Sequence, residues 1–161
     1  MDLTVAYMAR PPVKNLDRGV LPSLLGYALR RTQSAVFADF AATFAEAGEA
    51  LTPGEFGLLV LVERNEGLSQ MTLARALGID RSTLVPILDR LQARGLLVRR
   101  ASPTDGRTHA LALTPVGVRE LVKFSQLVRR HEKRIAAGLS TPETRTLIEL
   151  LEKVRAGARS L

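Results

Sequence analysis

The chain has 161 residues, 46% of them hydrophobic and 24% charged, which suits one domain with a buried core and excludes a disordered tail. Lys and Arg number 23 against 16 Asp and Glu, a formal charge of +7, the sign expected of a partner for polyanions such as nucleic acid. No Cys is present, which excludes a disulfide framework, a thiol redox centre, zinc knuckles and a cysteine nucleophile. The two histidines, His109 and His131, are too few for most histidine-based metal sites. Apolar runs such as Leu58 to Val62 fall short of the roughly 18 residues that span a membrane, and Met1 to Pro12 lack the order of a secretory signal. The expectation is a cytoplasmic protein with no membrane partner.

Residues 1–20 hold Pro11-Pro12 and Gly19 without a sustained apolar period and read as an irregular arm. Pro22 suits a first helical position, and Leu25, Leu29, Val36, Phe40 and Phe44 keep helical spacing to about Ala47, predicting one long helix that breaks at Gly48. Thr52-Pro53-Gly54-Glu55 offers a cap, a first-turn Pro and a Glu three residues after the cap, so a second helix runs to about Asn65. Ser69 caps a short third helix that Gly78 ends, and Asp80 is placed to cap a fourth. In the fourth helix Leu84, Ile87, Leu88 and Leu91 form one apolar stripe, stopped by Gly95. Two helices joined by only Gly78-Ile79-Asp80 have helix-turn-helix spacing.

Leu96 to Arg100 and His109 to Leu113 read as strands, joined across Ser102-Pro103-Thr104-Asp105-Gly106 into a hairpin. Thr114-Pro115 starts a fifth helix to about Ala137. Thr141-Pro142 starts a sixth, whose Leu147, Leu150, Leu151 and Val154 again form one stripe. The fold class expected is mainly α with a small β hairpin.

A groove-reading helix buries one stripe and offers small or polar residues near its N-terminus to base edges. Opposite Leu84 stand Ser82, Pro86 and Asp89, so Ser82, Thr83, Pro86 and Arg90 are candidates for base edges or the groove floor, and Arg81 for a phosphate. Ser69, at the cap of the preceding helix, is taken as a further DNA-contact candidate. Pro86 leaves the Ser82 carbonyl without an intrahelical partner, which predicts a slight bend toward the groove. The same stripe would also describe a plain amphipathic surface helix. The hairpin adds Arg99, Arg100 and Arg107, three cations on one protrusion suited to a phosphate backbone or a minor groove. A salt bridge within the hairpin between Arg107 and Asp105 is compatible with that role.

These residues resemble the MarR family of winged-helix transcription regulators. The resemblance runs from about Leu24 to Val154 and rests on Leu51-Thr52-Pro53, Leu73-Ala74-Arg75-Ala76-Leu77-Gly78-Ile79-Asp80 before Arg81-Ser82-Thr83, Leu88-Asp89-Arg90-Leu91 with Arg94-Gly95-Leu96, Asp105-Gly106-Arg107, and Leu113-Thr114-Pro115-Val116-Gly117. It implies a homodimer in which residues 21–50 and 114–161 form the dimerisation region and 51–113 a winged helix-turn-helix lobe that reads half of a pseudo-palindromic double-stranded DNA operator. Ser82, Thr83 and Pro86 would face the major groove, and Arg107, oriented by Asp105, the minor groove. Family members mostly act as repressors released by a small aromatic or anionic effector bound between the dimerisation helices and the winged lobe. The missing Cys removes the thiol-sensing branch, and the two histidines argue against the zinc-sensing one.

Two clusters bear on the effector. Arg129, Arg130, Lys133 and Arg134 on the fifth helix, with Arg18, Arg30 or Arg31, would receive phosphates of an anionic effector such as an acyl-CoA, or else form a solvated surface. Tyr27, Phe37, Phe40 and Phe44 on the first helix, with Phe56 opposite, would line a pocket for an aromatic acid or aromatic acyl-CoA, or else form dimer core. No catalytic, metal or cofactor-binding residue is expected: there is no Gly-x-Ser-x-Gly elbow or Gly-rich phosphate loop, and His131 has no triad-like spacing. A sequence-neutral architectural DNA binder is the alternative function. Residues 1–50 carry no net charge, 51–110 carry +2 and 111–161 carry +5, so most of the excess lies outside the winged lobe.

Overall fold

A computed structural model describes residues 16–65, 67–101 and 109–158. A 3₁₀ turn at Leu21–Ser23 precedes α1 (Leu25–Glu46), then α2 (Pro53–Arg64), α3 (Gln70–Leu77), α4 (Arg81–Ala93), β1 (Leu97–Ala101), β2 (His109–Leu113), α5 (Pro115–Ile135) and α6 (Thr141–Ala158). Pro22 therefore does not open α1 as its composition suggests. It sits in the 3₁₀ turn, and Leu24 follows with extended backbone (φ −89°, ψ 123°), which separates the turn from the helix.

The helix boundaries follow from local chemistry. At α2, Thr52 Oγ1 accepts from the Glu55 N–H at 3.2 Å and Glu55 Oε2 accepts from the Thr52 N–H at 2.8 Å, a reciprocal capping box with Pro53 in the first turn. Ser69 Oγ accepts from the Thr72 N–H at 3.1 Å to start α3, and Gly78 at φ +66° ends it. Asp80 occupies the cap position of α4, but its side chain makes no capping hydrogen bond. α4 runs unbroken through Pro86, whose exposed face leaves the freed Ser82 carbonyl open to water.

β1 and β2 pair antiparallel, with Leu97 opposite Leu113 and Arg99 opposite Leu111. A bridge between Ser69 and Ala110, and the Leu111 N–H donating to Leu68 O at 3.0 Å, fasten the hairpin to the start of α3. Leu96, expected in the first strand, lies before it: its carbonyl accepts from the Thr114 N–H at 3.0 Å and pins the start of α5. A Cβ at Gly117 would come within 1.9 Å of that carbonyl oxygen, so only glycine lets α5 approach this closely.

The core is continuous from the first helix to the wing. Phe44 of α1 meets Phe124 of α5 and Phe40 meets His131, and Leu58, Leu59, Leu73, Leu84, Leu88, Leu91, Leu97 and Leu111 fill the lobe. α6 contributes no buried residue: Leu147, Ile148, Leu150 and Leu151 are 45%, 58%, 50% and 41% exposed.

Candidate nucleic-acid interface and ligand groove

α4 divides into two halves. Leu84, Leu88 and Leu91 anchor one side of it and are fully buried, while Arg81, Ser82, Thr83 and Pro86 are exposed on the N-terminal half. No side-chain hydrogen bond or ion pair holds those four within the described residues. The C-terminal half is tied on three sides. Asp89 Oδ1 accepts from Arg99 Nη2 of β1 at 2.6 Å, Arg90 donates through Nε (3.2 Å) and Nη2 (2.9 Å) to Glu55 Oε1 of α2, and Arg94 donates to the Ala50 carbonyl and lies 3.5 Å from Glu49. Glu49 also accepts from Lys123 of α5, and that ion pair holds the Lys123 ammonium above its ordinary pKa.

These ties bear on two expectations. Arg99, expected at a phosphate, is engaged within the lobe. It turns back onto Asp89 with its side chain 24% exposed, because its neighbour across the ladder, Leu111, belongs to the core side of the wing. Arg90 keeps an exposed flank, but a buried carboxylate already engages its guanidinium, so it is a strut before it is a groove reader. Arg100 is exposed, and among the described residues no carboxylate lies within salt-bridge distance of it. The Ser69 hydroxyl is occupied by its cap and by Thr72 Oγ1 at 2.9 Å. Asp105 and Arg107 lie outside the described residues.

Between α1 and the end of α5 runs an open groove of about 680 Å³ lined by Tyr27, Arg31, Val36, Asp39, Arg134 and Ile135, among others. The guanidinium carbons of Arg30 and Arg31 lie 5.6 and 5.7 Å from the Tyr27 ring centroid, and no carboxylate among the described residues pairs with either. Arg134 is different. It donates from Nε to Asp39 Oδ2 at 2.7 Å and from Nη2 to Asp39 Oδ1 at 3.0 Å, and also bonds Thr43. His131, 2% exposed, places Nδ1 2.6 Å from the same Asp39 Oδ1. The hydrogen bonds from Arg134, and then that from His131, hold the Asp39 carboxyl below its ordinary pKa, while Asp39 raises that of Arg134.

The four cations on α5 are therefore held differently, with Arg129 and Lys133 exposed and without a carboxylate partner among the described residues. Arg134 is neutralised by Asp39, and Arg130 stands 3.7 Å from Glu46. Arg129 remains on the exposed face, outside the groove. The aromatic set also separates. Tyr27 alone of that set lines the groove, Phe40 stacks on Phe44 at 4.5 Å inside the protomer core, Phe56 packs half-buried against that core, and Phe37 is 47% exposed on the flank of α1. Phe40 is thus core, not pocket lining: its register on α1 points at α5. The Asp39–His131–Arg134 cluster escaped sequence reading, since its members stand 92 and 95 positions apart. Among the described residues no group of three or more His, Cys, Asp or Glu side chains could hold a metal ion, and no helix is long and apolar enough to cross a membrane.

Comparison with known proteins fits this geometry. The MarR family model matches residues 51–108, the span from the start of α2 into the hairpin. A protein assigned to transcriptional regulation of the hcr operon in Thauera aromatica is 41% identical over 146 residues, covering 91% of this chain and 87% of its own length. The repressor CouR bound to a 23-mer DNA duplex superposes with a TM-score of 0.82 at 40% identity, covering 88% of this chain and 99% of CouR. CouR bound to p-coumaroyl-CoA gives a TM-score of 0.80 at 39% identity over 88% and 98% of the two chains. By sequence over nearly its whole length and by the fold of its winged lobe, this chain belongs to the MarR family of transcription regulators.

Proposed function

We propose that the protein is a homodimeric repressor that binds a pseudo-palindromic operator and leaves it when an aromatic acyl-CoA or related aromatic acid binds. The observation that carries this reading is its likeness, at about two-fifths identity, to a repressor known both on a DNA duplex and with p-coumaroyl-CoA. Each protomer would present Ser82, Thr83 and Pro86 to the major groove, Arg81 and Arg100 to phosphates, and the Asp105–Arg107 tip of the wing to the minor groove. Residues 51–113 form the reading lobe. Residues 21–50 and 114–161 form the dimerisation region, where the half-exposed leucine stripe of α6 finds its cover on the second copy. The protein works in the cytoplasm and has no catalytic role.

For the effector, the structural observations favour α1 over α5. Arg30 and Arg31 converge on one aromatic ring without a counter-ion among the described residues, whereas Arg130 and Arg134 face carboxylates. Two neighbouring guanidinia over an aromatic face suit a multiply charged phosphate beside an aromatic acyl group better than a neutral ligand. The test is titration of the complex with its own upstream DNA, using a panel of aromatic acids and their CoA thioesters. Release by an aromatic thioester at lower concentration than by the free acid is expected, and weakened about tenfold or more in Arg30→Ala/Arg31→Ala. No release by any member of the panel would overturn the effector reading.

A further inference from the structure

We propose that Glu55 is a positioning residue for operator reading: from the start of α2 it sets the rotation of α4 about its own axis. It thereby decides which bases Ser82, Thr83 and Pro86 meet. The inference rests on α4 being the groove-facing helix. α4 is anchored by Leu84, Leu88 and Leu91, all fully buried. One stripe of leucines resists lifting the helix from the core, yet hydrophobic contact is non-directional and does little to fix rotation. Polar ties supply the direction, and two of them bracket the exposed arc. With Leu84 as the centre of the buried face and about 100° per residue, Asp89 lies at about 140° and Arg90 at about 240°. Ser82 and Pro86 fall between them, and Thr83 just beyond Arg90. Asp89 is drawn toward β1 by Arg99 and Arg90 toward α2 by Glu55, so the ties oppose each other across the reading face.

The two ties differ in strength. The Asp89 side chain is mostly exposed, whereas that of Glu55 is 7% exposed and both its oxygens are engaged, Oε2 by the Thr52 N–H and Oε1 by Arg90. A carboxylate this buried is costly to leave without its cation, so Arg90 is held although its own side chain reaches solvent. Rotating α4 by about 10° would move a side-chain tip about 5 Å from the axis by about 1 Å, beyond the roughly 0.5 Å tolerance of a specific contact set. Base contacts would suffer first, since phosphate contacts carry no sequence information.

The experiment compares wild type, Glu55→Gln, Arg90→Met and the double variant. The readout is affinity for a duplex enriched by the wild-type protein from a random pool, relative to an unselected duplex of equal length, across a salt series. Each single variant should lower that ratio by about tenfold, the double variant no further than either single, and the salt slope should match wild type. Losses that multiply in the double variant would overturn the proposal. So would an intact ratio in Glu55→Gln together with a salt slope lowered by about one in Arg90→Met, which makes Arg90 a phosphate contact. Because Glu55→Gln also disturbs the α2 cap, Thr52→Ala, which loses the side-chain cap but keeps the Glu55–Arg90 pair, provides a second measurement: a ratio close to wild type supports rotational control, and one lowered as far as in Glu55→Gln overturns it. A wild-type protein that enriches no sequence would overturn both this inference and the operator reading beneath it.

Discussion

The winged lobe and the last helix solve the same problem, an apolar stripe on a helix, in opposite ways. In α4 the leucines at the helical repeat are sealed inside the lobe, and the ion pairs to Glu55, Asp89 and Glu49 close its edges. In α6 an equally regular stripe has no buried member among the described residues, and its leucines stay 41–50% exposed. Sequence periodicity is the same in both, so it reports that a face will be buried and not against what. Charge is divided within each region. The lobe has the smaller surplus, and Arg81 and Arg100 have no carboxylate partner there among the described residues. The C-terminal helices have the larger surplus, and there Arg130, Arg134 and Lys123 face carboxylates while Arg119, Arg129 and Lys133 have no carboxylate partner among the described residues.

The largest effect expected from breaking this contrast is at α6. Leu150→Asp/Leu151→Asp should leave the lobe folded but abolish the dimer at micromolar concentration, because each buried leucine is worth about 1.5–3 kcal/mol and the symmetric interface loses it twice. Sedimentation analysis checks this, and a double variant that stays dimeric means α6 packs elsewhere. Next comes Gly117→Ala. The added methyl meets the Leu96 carbonyl oxygen, so the start of α5 must shift away from the wing at a cost of about 1–3 kcal/mol. A urea midpoint equal to wild type would show that the junction is soft.

That junction also marks how far the sequence could be read. The Thr114-Pro115 helix start was legible from capping chemistry, as were the Thr52 box, the Ser69 cap and the αL glycine at 78. These depend on neighbours within a few positions. The contact that makes Gly117 necessary is with Leu96, 21 positions earlier, and composition carries no trace of it. For the same reason the four cations of α5 looked alike in sequence, although a carboxylate of α1 engages Arg134 and leaves Arg129 in solvent. In the lobe, the exposed arc of α4 could be projected from periodicity alone. Which of its charged residues were already committed could not, since Arg90 and Glu55 are 35 positions apart.

A smaller effect should separate Arg100 from Arg99 on the wing. Arg100→Ala should weaken operator binding several-fold and lower the salt slope by about one, as expected for one lost phosphate contact. Arg99→Ala should leave the slope unchanged while lowering stability through loss of its tie to Asp89. Equal slopes for the two variants would remove the distinction between Arg100, unpaired among the described residues, and the committed Arg99 beside it.

The smallest effect, and the most diagnostic for the C-terminal region, concerns pH. Asp39 has a folded pKa below its unfolded value of about 3.9, chiefly because Arg134 hydrogen-bonds its carboxylate. A depressed carboxylate pKa stabilises the fold above the unfolded pKa, and that contribution is lost as pH falls through the folded pKa. Asp39→Asn should therefore unfold more easily than wild type at pH 7, by about 1 kcal/mol once partial exposure is allowed for. The gap should narrow below about pH 4 and close at lower pH as wild-type Asp39 itself becomes protonated. Urea midpoints for both proteins across that range measure it. A gap that persists at acid pH would mean that Asp39 acts through the shape of its hydrogen bonds to His131 and Arg134, with charge neutralisation of α5 contributing nothing.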